Sequence, residues 1–503
     1  MSRLDSGAER RPRLLLCSMA LGVFLAGCAS THGIAPQGKL LDADQLAASR
    51  SLGTVSAAAF PEQDWWTTLG DPQLDALVNE ALAGTPSLDA ADARERQAIA
   101  QAGLADAARK PQIGIGAQYA GVLIPESVAP DPLGGNYTGI VLLDLNIKYS
   151  FDVWGGKRAK WEAALGQARA AEVDAQAARL MLSSDIAHAY AALAQAFAVH
   201  DIAIADKDRS SHLLELGRQR VKAGIDNQLQ LRQAESSVAS AQQQAQAAQQ
   251  QIDALRNAIA ALLGKGPDRG LDIAKPTLLS APSPGIPSLL PSELLGHRPD
   301  VVAARWRVEA ARHGIKASKA AFYPTINLSA MIGLASGGLS DLFNGDSLLV
   351  QGGPAISLPI FDGGGLRNQL AKSDADYDLA VATYNQTLVA ALREVADALQ
   401  AARSLDAQIA STVQARTAAQ AAWQLATTRY RAGLGTQLDV LAAQRPLLQF
   451  DQQLATLHAQ RITAAIDLDR ALGGGLTPTS PRSDQVIADQ DITNQDLAKA
   501  PTP

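Results

Sequence analysis

The side chains that could do covalent chemistry are few. The chain has two thiols, Cys17 and Cys28, both near the N-terminus. Two cysteines so placed exclude a disulfide framework. The seven histidines are scattered without metal-ligand spacing, which suits packed or solvated roles. Gly363-Gly364-Gly365 follows a strand-like segment but lacks the lysine of a phosphate-binding loop. No nucleophile constellation is present, so the residue types point away from an enzyme. The formal net charge is -6, with both signs scattered along the chain. No basic stripe suggests a nucleic-acid partner.

Cys28 suits acylation instead. Arg3, Arg10, Arg11 and Arg13 give a basic start, and Leu14 to Leu25 is a short apolar run. Such a run is too short to span a bilayer but fits a signal peptide. Leu25-Ala26-Gly27-Cys28 resembles the lipobox of bacterial lipoproteins, in which cleavage leaves a diacylated cysteine as the first residue. The resemblance implies that residues 1–27 are a signal peptide, that Cys28 carries lipid and that Cys17 is discarded. An ordinary signal peptide with an incidental cysteine is the alternative. Ala29, not aspartate, follows the cysteine, and in this resemblance that favours sorting to the outer membrane. No cofactor is implied beyond the covalent lipid.

The elements that must carry this chain are set by composition and repeat. Hydrophobic residues make up 47% of the chain but aromatics only 4%, because alanine supplies much of the apolar count. Alanine favours helix and close helix approach, so long, tightly packed helices are expected. The same unit occurs twice. Pro86 and Pro299 lie 213 residues apart, as do Pro111 and Pro324. Gly224 and Gly433, Leu229 and Leu438, and Gly264 and Gly473 are each separated by 209. The texts Arg220-Val221-Lys222-Ala223-Gly224 and Arg429-Tyr430-Arg431-Ala432-Gly433 match at that offset. The expected layout is an N-terminal segment over 28–64, repeats over 65–270 and 271–476, and a polar, disordered tail over 477–503.

Within each repeat the period changes. Leu143, Leu145, Ile147, Tyr149 and Phe151 alternate with Asp144, Asn146, Lys148 and Ser150. That is a strand with one apolar face. Ile113, Ile115, Ala117 and Tyr119 form a second such face. Ile326, Leu328, Ala330 and Ile332, then Ile356, Leu358 and Ile360, repeat the pattern. Two strand pairs are therefore expected, at about 112–152 and 325–361, each joined by a long loop. A soluble sandwich would also alternate. Against it, four strands in so long a chain have no other sheet to pack on. Aromatics also gather where strands meet helices, at Phe151, Trp154, Phe322, Tyr323 and Phe361, as in the girdles of membrane barrels.

No apolar run reaches the ~20 residues of a spanning helix, so a membrane crossing must use strands. Four strands cannot close a barrel, and open edges are costly in lipid. Oligomerisation is therefore expected. Asp144, Asn146 and Lys148 would then line the lumen; a solvated sheet face is the alternative.

Each strand pair leads into a proline-free stretch, Lys157 to Ala223 and Leu366 to Ala432. Each such helix would be roughly 100 Å long at 1.5 Å per residue. Val381, Leu388, Val395, Ala402 and Ile409 recur every seven residues, a coiled-coil seam, although a plain bundle would also use it. Gly224 and Gly433 read as helix-ending glycines. Return helices are expected from Asn227 to Leu263 and from Thr436 to Leu472, the second opened by a Thr436–Asp439 capping box.

The lipobox, the duplicated strand pair with long helix hairpin, and the text Arg429-Tyr430-Arg431-Ala432-Gly433-Leu434-Gly435-Thr436-Gln437-Leu438-Asp439-Val440-Leu441 together resemble the outer membrane factor family, the TolC-like channels, and within it the lipidated efflux branch. Trp65-Trp66, Asp71-Pro72-Gln73-Leu74 and Phe361-Asp362-Gly363-Gly364 resemble its opening segment and strand-to-helix junction. The resemblance implies a mixed α and transmembrane β fold: a homotrimer whose twelve strands close one outer-membrane barrel, continued by a coiled-coil α-helical tunnel through the periplasm. It implies a periplasmic adaptor, an inner-membrane pump and passive export of small molecules or drugs. A protein-secretion conduit of the same fold and a structural coiled-coil lipoprotein are the rival readings. By the same resemblance Tyr430, Leu438, Asp439 and Arg445 are gate candidates, with Asp439 equally a plain cap. Arg220, Gly224, Arg429 and Gly433 are candidates for adaptor docking, although helix capping would also account for them. Ala442, where relatives often carry an aspartate, and Pro446, ten residues into a helix, depart from the pattern.

Overall fold

The computed structural model describes residues 31–42, 46, 59–125, 127–128, 135–277 and 294–476. Cys28 and the tail past Leu476 lie outside the described residues. The chain forms two compact units that cut across the repeats. One gathers residues 1–40, 96–170 and 305–383; the other gathers 41–95, 171–304 and 384–503. No helix among the described residues is long and apolar enough to cross a membrane.

The first unit holds the sheet. Its strands are β1 (Gln112–Leu123), β2 (Tyr137–Phe151), β3 (Thr325–Ser336) and β4 (Leu348–Ser357). They pair antiparallel in the order β1-β2-β3-β4, so β1 and β4 are its edges. The register puts Ile115, Leu145, Ile332 and Val350 in one row and Ile113, Ile147 and Ala330 in the next. This apolar face is bare; Ile115 is 80% exposed. Gly116, Asp144, Gly333 and Leu349 form a row on the opposite face, as do Gly114, Asn146, Met331 and Gln351. The expected second strand of the second pair runs too far. β4 ends at Ser357, and Leu358 and Ile360 lie beyond it. The partner strand β3 begins at Thr325, opposite Ser357, and the next residues on both sides bring prolines, Pro324 and Pro359, which lack a backbone N–H and restrict the residue before them. At the strand–helix junction Trp154 stacks on Tyr323 with ring centroids 4.6 Å apart. Its indole N–H donates to the Pro324 carbonyl at 2.8 Å. Phe361 is 91% exposed.

The main helices are α1 (Pro72–Ala83), α2 (Pro86–Ala107), α3 (Gly156–Lys222), α4 (Gln228–Leu262), α5 (Pro299–Ala320), α6 (Gly365–Arg431) and α7 (Gln437–Ala471). The two longest, α3 and α6, have 67 residues each, and both returns, α4 and α7, have 35. Equal lengths in the two halves express the sequence repeat in three dimensions. Val381, Leu388, Val395 and Ala402 of the α6 seam are all buried, as are Ala391 and Ala398.

The second unit has its core where the opening segment meets the helices. Trp65, Trp66, Leu74, Leu77 and Val78 pack with Ile186, Tyr190 and Leu193 of α3, Ile252 and Ile259 of α4, and Ile462 and Ile466 of α7. Val395 and Leu399 of α6 join Leu468 and Leu472 at the end of α7. Asp71 caps α1 by accepting from the Gln73 N–H at 2.9 Å and also accepts from the Tyr190 hydroxyl at 2.8 Å. In the first unit an extended N-terminal segment is tied to α6: the N–H groups of Gln37 and Gly38 donate to Asp378 at 2.8 and 2.6 Å. A Cβ on Gly38 would lie 3.1 Å from that of Val381, a tight approach that glycine relieves.

Candidate gate at the helix tips

The tips of the two long hairpins are built alike. Gly224 and Gly433 both take φ near +74°. That left-handed conformation is open to glycine at little cost. It lets the Ile225 N–H reach back to the Arg220 carbonyl at 2.9 Å, and the Leu434 N–H to that of Arg429 at 2.8 Å. These six-to-one closures satisfy carbonyls that the helix ends would otherwise leave unpaired. Asn227 then caps α4 in a reciprocal box with Gln230. Thr436 and Asp439 do the same for α7, with the Thr436 N–H donating to Asp439 Oδ2 at 2.7 Å.

One polar cluster joins the two tips. Arg220 Nε and Nη2 donate to the two oxygens of Asp226, at 2.9 and 3.3 Å. Arg220 Nη1 donates to the Tyr430 carbonyl at 3.1 Å, and its guanidinium lies over the Tyr430 ring, 4.4 Å from the centroid. The Tyr430 hydroxyl donates to Asp226 Oδ2 at 2.7 Å. Tyr430 is fully buried beside Leu213 and Val440. Burial, and then the bond to the Asp226 carboxylate, pushes the Tyr430 phenol up to about 12. Burial alone would raise Asp226, but the bonds from Arg220 and Tyr430 outweigh it and hold the carboxyl below its usual range. Deeper along the hairpin, the Gln444 amide donates to Asp206 Oδ1 at 2.6 Å and thus joins α7 to α3.

The structure brings Arg220 and Tyr430 together at this cluster. It leaves Leu438 65% exposed, and Leu434, Ile225 and Leu229 are exposed as well. Asp439 is exposed and engaged with Thr436, an arrangement that lowers its pKa chiefly through the Thr436 backbone N–H. Arg445 and Arg429 are exposed, and Arg429 Nη2 donates to the Leu434 carbonyl at 3.2 Å. Helix α7 runs on through Pro446. Sequence reasoning missed Asp226. The signal was the asymmetry of the repeat: at an offset of 209, Asp226 stands opposite Gly435, so one turn carries a charge that its twin lacks.

No group of three or more potential metal ligands occurs among the described residues. The family profile described as "Outer membrane efflux protein" matches residues 77–265 and 290–474, most of the chain. The chain belongs to the outer membrane efflux protein family. Fusaric acid resistance protein FusA of Burkholderia cepacia is 38% identical over 370 residues, 72% of this chain and 69% of that one. Multidrug resistance outer membrane protein MdtP of Escherichia coli K12 is 30% identical over 474 residues, 92% of this chain and 96% of that one. The crystal structure of the outer membrane protein VceC from Vibrio cholerae superposes with a TM-score of 0.78 at 38% identity, over 83% of this chain and all of that one. Four antiparallel strands and long helices in two repeated halves are thus the fold of an outer membrane efflux protein. The chain is an outer-membrane efflux channel of a tripartite system, with a periplasmic extension, and not an enzyme. The family is one of trimeric channels.

Proposed function

We propose that three copies of this chain close one twelve-stranded barrel, anchored by lipid on Cys28, and passively conduct small molecules or drugs delivered by an inner-membrane pump through a periplasmic adaptor. The observation that carries this reading is the sheet itself. Its apolar face, with Ile113, Ile115, Ile332 and Val350, is exposed, while β1 and β4 are open edges. A bare apolar face suits lipid, and lipid does not tolerate unpaired strand edges. Closure by further copies satisfies both demands. Asp144, Asn146 and Lys148 then face the lumen. The tip cluster of Arg220, Asp226 and Tyr430 holds the periplasmic end shut, with Leu438, Asp439 and Arg445 at the constriction. Arg220, Gly224, Arg429 and Gly433 form the surface on which the adaptor docks. The names of the relatives speak of fusaric acid resistance and multidrug resistance, which supports small organic cargo over secreted protein. Gel migration of unboiled against boiled protein tests the assembly. A trimer band that collapses to monomer on heating is expected; a monomer in detergent before heating would count against closure.

A further inference from the structure

The four strands carry two charged side chains between them, Asp144 and Lys148. Both lie on β2, on the same face and four residues apart. Asp144 is set among glycines. Its partners in register are Gly116 on β1 and Gly333 on β3. A Cβ at Gly116 would lie 2.6 Å from the Asp144 carboxylate, and one at Gly333 would lie 2.9 Å from its Cα. The carboxylate thus lies over Gly116, in space that a Cβ there would occupy, and a Cβ at Gly333 would meet the β2 backbone, so glycine on both sides makes room for Asp144. Asn146 Nδ2 donates to it at 2.8 Å and fixes its orientation. The Lys148 row instead holds Gln112, Ser329 and Gly353, which are neutral.

In a closed trimer each residue becomes a ring of three like charges. Four residues of strand span about 13 Å, and strand tilt reduces that to about 10 Å along the barrel axis. The separation matches a Debye length of about 10 Å at 0.1 M salt, so the rings act as two opposed charge steps in series. Lys148 is nearer the strand end that leads into α3, and Asp144 lies farther from it. A molecule leaving through the barrel meets the positive ring first and the negative ring second.

We propose that Asp144 and Lys148 are a matched pair of specificity-determining residues, two opposed rings that make the barrel exit indifferent to the sign of the exported molecule's charge. The proposal rests on the lumen-facing reading above. A cation is slowed at one ring and attracted at the other, and an anion experiences the reverse. Removing either charge leaves the other unbalanced and makes the exit selective.

The purified trimer in planar bilayers under a KCl gradient tests this by reversal potential. Asp144→Asn lowers the cation-to-anion permeability ratio about threefold and Lys148→Gln raises it about threefold, taking three charges about 10 Å from the axis in screened water. The double variant returns to the wild-type ratio. Unchanged ratios in both single variants, or shifts of the same sign, overturn the proposal. Labelling of Asp144→Cys and Ile115→Cys by a charged, membrane-impermeant thiol reagent separates this from failure of the lumen reading. Label at 144 but not at 115 supports that reading, and the reverse removes it together with the proposal.

Discussion

Replacing Tyr430 by phenylalanine removes one oxygen from the tip and keeps the buried ring in place. The hydroxyl donates at 2.7 Å to the Asp226 carboxylate, which Arg220 also binds. Side-chain exposure is 13% for Arg220 and 6% for Asp226, so the bond is made largely out of water. A hydrogen bond to a charged group contributes about 1.5–3 kcal/mol, and each 1.4 kcal/mol is a factor of ten. If the cluster is made only when the tips are together, Tyr430→Phe favours the open state by roughly tenfold to a hundredfold. Single-channel recording should then show larger or more frequent openings, with the thermal transition little changed. The same cluster sets a pH dependence. The tip cluster holds Asp226 below its ordinary value, so its contribution is complete above about pH 4 and is lost as pH falls through the lowered value. Wild-type conductance should rise under acid, and the rise should vanish in Asp226→Asn. Conductance in Tyr430→Phe equal to wild type, with a lower thermal transition, would show that the cluster only supports the fold.

Three further outcomes follow from the same structure. Pro446 cannot donate a backbone hydrogen bond inside α7, so the Ala442 carbonyl loses its helical partner; Pro446→Ala restores that bond and, on the proposal that Pro446 biases the gate toward opening, should lower conductance of the purified channel. Arginine at Ile115, on the bare apolar face, should cost about 2–4 kcal/mol if the site lies near the bilayer midplane, read as loss of heat-modifiable trimer from outer-membrane fractions. Gly433→Ala forces a Cβ into the left-handed region at φ +74° and should cost about 1–2 kcal/mol in a thermal melt, with Gly224→Ala behaving alike.

Much of the fold was legible because its signals are local and periodic. The alternation from Leu143 to Phe151 gave strand and face together, and β2 ends at Phe151. The proline-free stretches and the two glycines placed the long helices to within one residue of α3 and α6. The Thr436–Asp439 spacing specified a capping box that the structure contains. The end of β4 was missed because an apolar alternation continues through Leu358 and Ile360, while the partner strand begins only at Thr325, opposite Ser357. Asp226 escaped because its partners are non-local: Tyr430 is 204 residues away, and neither charge pattern nor period connects them. The glycine frame around Asp144 was equally hidden, since Gly116 and Gly333 become its neighbours only through strand register.

This chain is the outer-membrane component of an export machine, and on the proposed function its tips meet a partner in the periplasm. Arg431 ends α6 at the tip and is exposed, so a photo-crosslinking residue placed there in living cells reads that meeting directly. Capture of a periplasmic adaptor, identified by mass spectrometry and genetically linked to an inner-membrane pump, is expected. Capture only of other copies of this chain, or of cell-wall material, would contradict the proposed function.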